Sequence, residues 1–148
     1  MFPELDGSVV LIDPLPGQAG FNGEHVVCSF LCSVGWQPVI ADAEGYDILA
    51  TKGTNILRIQ VKSSSGPAIG KGERAPGFYQ WTAGLGGKKQ LGTPTESYDV
   101  LALCALGPDA ITFLYASDVT KKTFRIRPGD IHERTSENTW AGITRKLD

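Results

Sequence analysis

Apolar and polar residues alternate over positions 57–62, and this alternation constrains the fold more than any other sequence feature. A period of two is typical of a β-strand, so Gln60 and Lys62 are expected on one face of that strand. Two residues of rise separate them by only about 6 to 7 Å. One bound phosphate and its metal ion would therefore reach both side chains.

Residues 45–50 are predicted to form the antiparallel partner of this strand. Turn-forming residues at positions 52–55 connect the two segments, as is typical of a β-hairpin. The hairpin would bring Asp47 close to Gln60 and Lys62. A carboxylate, an amide oxygen and an ammonium group would then meet at one place.

A predicted helix carries a second carboxylate. Asn22 is a plausible N-cap for this helix, and apolar residues follow it at helical spacing. Glu24 would lie at the edge of the apolar side of the helix. Taken alone, Glu24 fits a role in stabilising the helix N-terminus equally well. Its combination with Asp47, Gln60 and Lys62 favours a metal-dependent phosphodiesterase site.

The expected metal ion is Mg²⁺, with Mn²⁺ as an alternative, because Mg²⁺ binds through one or two carboxylates, waters and phosphate oxygens. Asp47 is the leading ligand, and Glu24 would contribute directly or through water. Gln60 would lend its side-chain carbonyl oxygen, while Lys62 would orient the nucleophile or neutralise developing negative charge. Two carboxylates and a neutral amide bind cations more weakly than three carboxylates, which favours a single metal.

In order and spacing, Glu24, Asp47 and Gln60-Val61-Lys62 resemble the metal site of the PD-(D/E)XK nuclease superfamily. The similarity is to its small members related to archaeal Holliday-junction resolvases and to a compact homing endonuclease. In that superfamily a helical Glu, an Asp on the second core strand and a Glu-x-Lys or Asp-x-Lys on the third surround Mg²⁺. The resemblance implies an α/β domain with a restriction-endonuclease-like mixed β-sheet flanked by α-helices.

Two positions depart from the superfamily pattern. Gln60 stands where the pattern has an acid, and Tyr46 stands where it has the proline before the aspartate. Some members of the fold carry Gln at the first of these positions, but the change removes a negative charge from the metal site. A non-catalytic DNA-binding or assembly module with a degenerate site therefore stays open as an alternative.

Composition suits a single domain over residues 1–148, since the chain has 148 residues of which 41% are hydrophobic. The formal net charge is −2, yet residues 1–47 hold seven acids and no Lys or Arg, whereas residues 48–148 hold fourteen bases and nine acids. A local basic surface can bind DNA despite an acidic total. The cations predicted to contact DNA are Arg58, Lys71, Arg74, Lys88 and Lys89.

The glycine-rich segment 63–95 is either a functional loop system or a poorly packed connection. Within it, residues 78–82 are predicted to form a strand beside the hairpin. Core or edge packing explains Tyr79 and Trp81 better than base stacking does.

Two apolar strands, at 98–104 and 110–116, are predicted to complete a buried sheet. Asp99 precedes an apolar run as Asp47 does. Because no Gln-x-Lys or Glu-x-Lys lies near it in the sequence, Asp99 is expected to be structural.

The C-terminal part offers two surfaces. Residues 123–127 alternate as an edge strand, and with Lys121 and Lys122 they form either a basic strip or an ordinary solvated face. Ser136 is predicted to cap a last helix whose apolar stripe docks on the domain or on a second subunit. The stripe consists of Trp140, Ile143 and Leu147. At least a homodimer is expected, because one active site cuts only one DNA strand.

The three cysteines, Cys28, Cys32 and Cys104, follow no secretory signal, which indicates a reducing, cytoplasmic compartment. Small buried residues explain them better than zinc ligands do. No apolar run is long enough to cross a membrane, and residues 9–12 are predicted to be a strand or a packed arm.

These observations predict a Mg²⁺-dependent endonuclease that acts on DNA. A junction-resolving nuclease is the first expectation within this class, and a sequence-specific homing or restriction endonuclease is the second.

Overall fold

A computed structural model describes residues 18–66, 77–83 and 94–147 of the chain. The helices within these ranges are α1 (Gln18–Ser33), α2 (Pro94–Ser97) and α3 (Thr135–Thr144), with single 3₁₀ turns at Ala116–Asp118 and Pro128–Asp130. The strands are β1 (Gln37–Ala43), β2 (Tyr46–Lys52), β3 (Asn55–Ser64), β4 (Tyr79–Thr82), β5 (Val100–Ala105), β6 (Ala110–Tyr115) and β7 (Thr123–Ile126). The predicted arm at 9–12 lies outside the described residues, as do Lys71, Arg74, Lys88 and Lys89.

The main sheet has five strands in the order β1-β2-β3-β5-β6. Strands β3 and β5 run parallel, while the other neighbours run antiparallel. All six residues of β5 are buried because both faces of the sheet are covered at its centre. The prediction of an α/β fold with a mixed sheet is confirmed.

The predicted hairpin is formed by β2 and β3. Their ladder runs from the Ile48–Ile59 pair to the Lys52–Asn55 pair, so the loop has two residues. Gly53, the first of them, has a φ of +61°, a conformation that glycine adopts without steric cost.

The two faces of the sheet are covered by different layers. Helices α1 and α3 pack on one face, where Leu31 and Trp140 meet Ile59 and Phe113. Strands β4 and β7 pair with each other and pack on the opposite face, against β5. The domain is thus a helix layer, a mixed sheet and a two-stranded ribbon.

The start of α1 corrects the predicted N-cap. The helix begins at Gln18, four residues before Asn22, because Gln18 and Ala19 are good helix formers. Glu24 therefore lies beyond the first turn, where the helix dipole has little effect. The alternative role of Glu24 in stabilising the helix N-terminus is thereby removed.

Helix α3 decides between the two roles that the sequence left open for its apolar stripe, docking on the domain or on a second subunit. Trp140 and Ile143 are only 4% and 2% exposed, because they pack into the core of their own domain. Ser136 is not the cap, since the helix begins at Thr135 and the Ser136 hydroxyl accepts a hydrogen bond from the Ile111 N–H at 2.8 Å. Helix α3 thus docks on β6, and any dimer contact must lie elsewhere.

Strand β4 lies at a different place from the one predicted. It pairs with β7 in a separate ribbon and does not extend the hairpin of the main sheet. Tyr79 and Trp81 are buried, and the Trp81 indole N–H donates to the Cys104 carbonyl oxygen at 3.1 Å. The prediction that both aromatic residues serve packing is confirmed.

The cysteines differ in their exposure. Cys104 is buried, and burial raises the pKa of its thiol to about 12. Cys28 is half-buried and Cys32 is exposed, so the expectation of a buried residue is wrong for Cys32. No helix in the described ranges is long and apolar enough to cross a membrane.

Candidate active site

Asp47 lies where β2 and β3 separate. The ladder between these strands ends at the Ile48–Ile59 pair, one residue after Asp47. In place of the next ladder bond, the Asp47 Oδ2 accepts a hydrogen bond from the Val61 N–H at 2.8 Å. This bond holds the carboxylate beside Gln60 and Lys62, the two chain neighbours of Val61.

Gln60 and Lys62 share one face of β3, as the alternation requires. Their partners in the parallel ladder are Leu101 and Leu103, which face the β4–β7 ribbon. Both polar side chains are half-buried. The positive charge of Lys62 lowers the pKa of Asp47, so the ammonium and the carboxylate are electrostatic neighbours.

Glu24 reaches the site because α1 approaches β3 unusually closely. A β-carbon at Gly23 would lie 1.8 Å from the Ser63 Oγ and 3.1 Å from the Ser63 Cβ. A side chain at position 23 would require Ser63 or the helix to shift, so glycine allows this close approach, one residue before Glu24. The contact was not expected from the sequence, although a glycine before a candidate ligand in a helix is a signal that could have suggested it.

The two carboxylates repel each other. Burial raises the pKa of Glu24, the charge of Asp47 raises it further, and His25 opposes the shift. Burial also raises the pKa of Asp47, against the opposing effects of the Val61 N–H and of Lys62. Two partly desolvated acids that repel each other are a setting that a divalent cation would stabilise.

The donor set fits a hard cation such as Mg²⁺. Glu24 and Asp47 offer carboxylate oxygens, and Gln60 offers an amide oxygen, which are the ligand types that Mg²⁺ prefers. Among the side chains that the structure describes, no group of three or more His, Cys, Asp or Glu is arranged to hold a metal ion. The acids that the described residues offer at this candidate site are Glu24 and Asp47.

Ser63 places a hydroxyl group with no hydrogen-bond partner close to Glu24 in the sequence of contacts between α1 and β3. Its Oγ is buried without a hydrogen-bond partner, the one such side-chain atom among the residues that the structure describes. The atom lies against the α1 backbone at Gly23, one residue from Glu24. Nothing in the sequence pattern singled out Ser63.

Arg58, predicted to contact DNA, makes a set of internal contacts. Its guanidinium binds both carboxylate oxygens of Asp99, with an Nη2–Oδ1 distance of 3.1 Å, and also donates to the carbonyl oxygens of Glu96 and Thr95. The Arg58 N–H donates to the Asp99 Oδ2 at 2.8 Å. The structural role predicted for Asp99 is confirmed, and a DNA contact by Arg58 stays a prediction.

Comparison with known proteins supports the fold. No protein-family model matches the sequence, and a search of curated proteins finds no significant match. The structure is similar to that of a bacterial homing endonuclease, I-Ssp6803I, with a TM-score of 0.60 and 15% sequence identity. The match covers 91% of this chain and 99% of that chain. At this identity the likeness establishes a shared fold and nothing more.

Proposed function

We propose that this protein is a Mg²⁺-dependent DNA endonuclease with a PD-(D/E)XK-type site. The observation that carries the proposal is the position of the Asp47 carboxylate, which is held on the Val61 N–H of β3 and interacts electrostatically with both Glu24 and the ammonium group of Lys62. Asp99, by comparison, is bound by the guanidinium of Arg58, whereas Asp47 has another acid, Glu24, as an electrostatic neighbour in addition to Lys62.

Each side chain has a role in this proposal. A bound Mg²⁺ would lower the pKa of a coordinated water and offset charge on the phosphate. Asp47, oriented by the Val61 N–H, and Glu24 supply carboxylate oxygens, and Gln60 supplies a neutral one. Lys62 orients the attacking water and neutralises the charge that develops on the scissile phosphate.

The structural likeness to a homing endonuclease favours a sequence-specific endonuclease over a junction-resolving one. The likeness supports this preference because the two chains match over nearly their whole lengths. No feature of the described residues specifically favours recognition of a four-way junction.

The decisive experiment incubates the purified full chain with supercoiled plasmid, linear duplex and a four-way junction, in Mg²⁺ or in EDTA. We expect plasmid and duplex to be cut in Mg²⁺ at discrete positions and left intact in EDTA. Strong preference for the junction would identify a resolvase. A chain that binds DNA but cuts none of the three substrates in Mg²⁺ or Mn²⁺ would be the non-catalytic module.

Gln60 offers a test of the metal site. Gln60→Glu would restore the third acid of the superfamily pattern and increase the attraction for a cation. We expect the Mg²⁺ concentration for half-maximal cleavage to fall by about tenfold, which corresponds to about 1.4 kcal/mol of added binding. The matched control is Gln37→Glu at the exposed start of β1, which pairs with Thr51 near the hairpin turn and adds the same charge away from the site. Equal Mg²⁺ dependence of both variants would contradict metal binding at Gln60.

A double-strand cut by a chain with one site requires two copies, so we also propose a homodimer or a higher homo-oligomer. The large apolar side chains that the described residues expose are Val39, Ile40 and Ile56. Sedimentation at micromolar concentration, free and with duplex, tests the proposal. A strict monomer in both conditions would leave only nicking.

A further inference from the structure

The β4–β7 ribbon has two chemically different faces. Tyr79 and Trp81 on β4, with their neighbours Ile126 and Phe124 on β7, form the inner face that packs on the main sheet. The outer face consists of the other two cross-strand pairs, Gln80–Arg125 and Thr82–Thr123. The inner face thus fixes the ribbon to the main sheet, while the two strands present polar side chains on the outer face.

The ribbon is also the most basic part of the described chain. Residues 119–127 contain Lys121, Lys122, Arg125 and Arg127 and no acidic residue, although the whole chain has a net charge of −2. All four cations are exposed. A concentration of positive charge on one exposed segment is the electrostatic feature that a phosphate backbone binds.

Arg125 and Gln80 are held side by side on the outer face. The Arg125 Nε–H donates to the Gln80 Oε1 at 3.2 Å, and the guanidinium carbon lies 4.8 Å from the centre of the Phe78 ring. Both contacts are exposed, so they orient the side chains at little cost and exchange readily for others. Arg and Gln are the side chains that pair with the edges of guanine and adenine in the major groove.

The ribbon lies on the same side of the domain as part of the proposed active site. Its inner aromatic residues belong to one core cluster with Leu101 and Leu103. Those leucines are the ladder partners of Gln60 and Lys62 and share their sheet face. The ribbon and Lys62 therefore lie on the same side of the main sheet.

We propose that the outer face of the β4–β7 ribbon enters the major groove of duplex DNA. In this arrangement Gln80 and Arg125 contact base edges, while Lys121, Lys122 and Arg127 contact phosphates. The major groove, about 12 Å wide, admits a two-stranded ribbon whose strands are about 4.8 Å apart. The inference rests on the proposed DNA endonuclease function and adds to it the element that determines sequence preference.

The first experiment measures phosphate contacts. Binding of the full chain to a fluorescent duplex of mixed sequence is followed in EDTA over a range of salt concentrations. Each of Lys121→Ala, Lys122→Ala and Arg127→Ala should weaken binding about five- to tenfold at 0.1 M salt and reduce the salt slope by about one.

The matched control is Arg145→Ala, which removes one exposed positive charge at the end of α3, on the helix side of the sheet. It should leave both the affinity and the salt slope unchanged. If the ribbon variants and Arg145→Ala have equal slopes, the ribbon is an ordinary solvated face and the inference fails.

The second experiment measures base contacts. Duplexes bound by the wild type are selected from a random-sequence pool in EDTA, and the selection is repeated with Gln80→Ala and Arg125→Ala. We expect each variant to lose preference at one or two adjacent positions while the remaining selected sequence stays the same. Identical selected sequences would overturn base reading by these residues.

The outcomes separate this inference from the function on which it rests. A wild type that cuts DNA in Mg²⁺, with ribbon variants that bind and select as it does, overturns the ribbon inference and leaves the endonuclease intact. A wild type that binds no duplex overturns both.

Discussion

Asp47 and Asp99 are bound to the same strand in the same way, yet their surroundings differ. Each carboxylate accepts a hydrogen bond of 2.8 Å from a backbone N–H of β3. The donor is Val61 for Asp47 and Arg58 for Asp99. Both carboxylate oxygens of Asp99 also accept hydrogen bonds from the guanidinium of Arg58. Asp47 instead has a second carboxylate, Glu24, as an electrostatic neighbour.

The difference separates a structural carboxylate from a candidate catalytic one. A carboxylate bound by Arg has its charge compensated and its hydrogen-bonding capacity used, so it joins two segments of chain. A partly buried carboxylate whose pKa is raised, next to another acid, is left with capacity for a cation. Secondary structure and backbone hydrogen bonding alone would not have distinguished the two residues.

The largest expected effect is on catalysis at Asp47. Asp47→Asn keeps an acceptor for the Val61 N–H but removes the charge that a divalent cation needs. We expect cleavage in Mg²⁺ to fall about a thousandfold or more, since metal stabilisation of the transition state is worth several kcal/mol. Single-turnover cleavage measures the loss, and Asp99→Asn should cut at the wild-type rate while folded. Equal losses for both variants would remove the distinction between the two carboxylates.

The second effect concerns Lys62. Lys62→Met keeps most of the side-chain volume and removes the ammonium group beside Asp47, so the cleavage rate should fall about a hundredfold. Duplex affinity in EDTA should fall as well, because a cation near the phosphate is lost. Lys52→Met, at an exposed position of the hairpin turn, is the control. A Lys62→Met enzyme with full activity would show that the ammonium has no part in the chemistry.

The third effect is on stability. Here the Asp99 variant should lose more than the Asp47 variant, the opposite of the order expected for cleavage. Asp99→Ala removes the acceptor of the Arg58 N–H and leaves the guanidinium uncompensated, so the free energy of unfolding should fall by about 1 to 2 kcal/mol. Asp47→Ala also removes a backbone acceptor but relieves the repulsion of Glu24, so its cost in metal-free protein should be smaller. Urea denaturation in EDTA compares the variants. A greater cost at Asp47 would mean that its role is mainly structural.

The smallest effect is a dependence of stability on pH. Because the pKa values of Glu24 and Asp47 are raised in the folded state, the native protein binds protons more tightly there than the unfolded chain does. Without metal, these groups should therefore stabilise the fold as the pH falls from neutrality toward the ordinary carboxylate range. Asp47→Asn should lack part of this gain, whereas Asp99→Asn should retain it. With metal present, acidification should weaken Mg²⁺ binding, because protons compete for the same oxygens.

The sequence predicted the hairpin, the two apolar strands and the mixed sheet because these depend on local patterns. The alternation at 57–62 and the turn at Gly53 fix both the strands and their register. The roles proposed for Glu24, Asp47, Gln60 and Lys62 remain predictions. The structure nevertheless joins Glu24, Asp47 and Lys62 electrostatically and puts Gln60 on the face of Lys62.

The sequence could not predict which surfaces are covered by distant parts of the chain. The stripe at Trp140 reads equally well as a subunit contact or as core, and only the position of β6 decides between them. The partner of β4 is β7, about forty residues away, which no local pattern specifies. Asn22 resembles a helix cap because the apolar stripe of α1 starts after it, although the helix itself already includes Gln18.

Gly23 has a consequence for how mutations in this protein would behave. It has no side chain with which to bind a metal or DNA, yet a β-carbon there would collide with the Ser63 hydroxyl, so that either this hydroxyl or α1, together with Glu24, must shift. A genetic screen for cleavage-defective variants should therefore recover Gly23→Ala alongside substitutions of Glu24 itself. The two classes would differ in their suppressors, since Ser63→Gly frees the space that the new β-carbon needs and can rescue only the first.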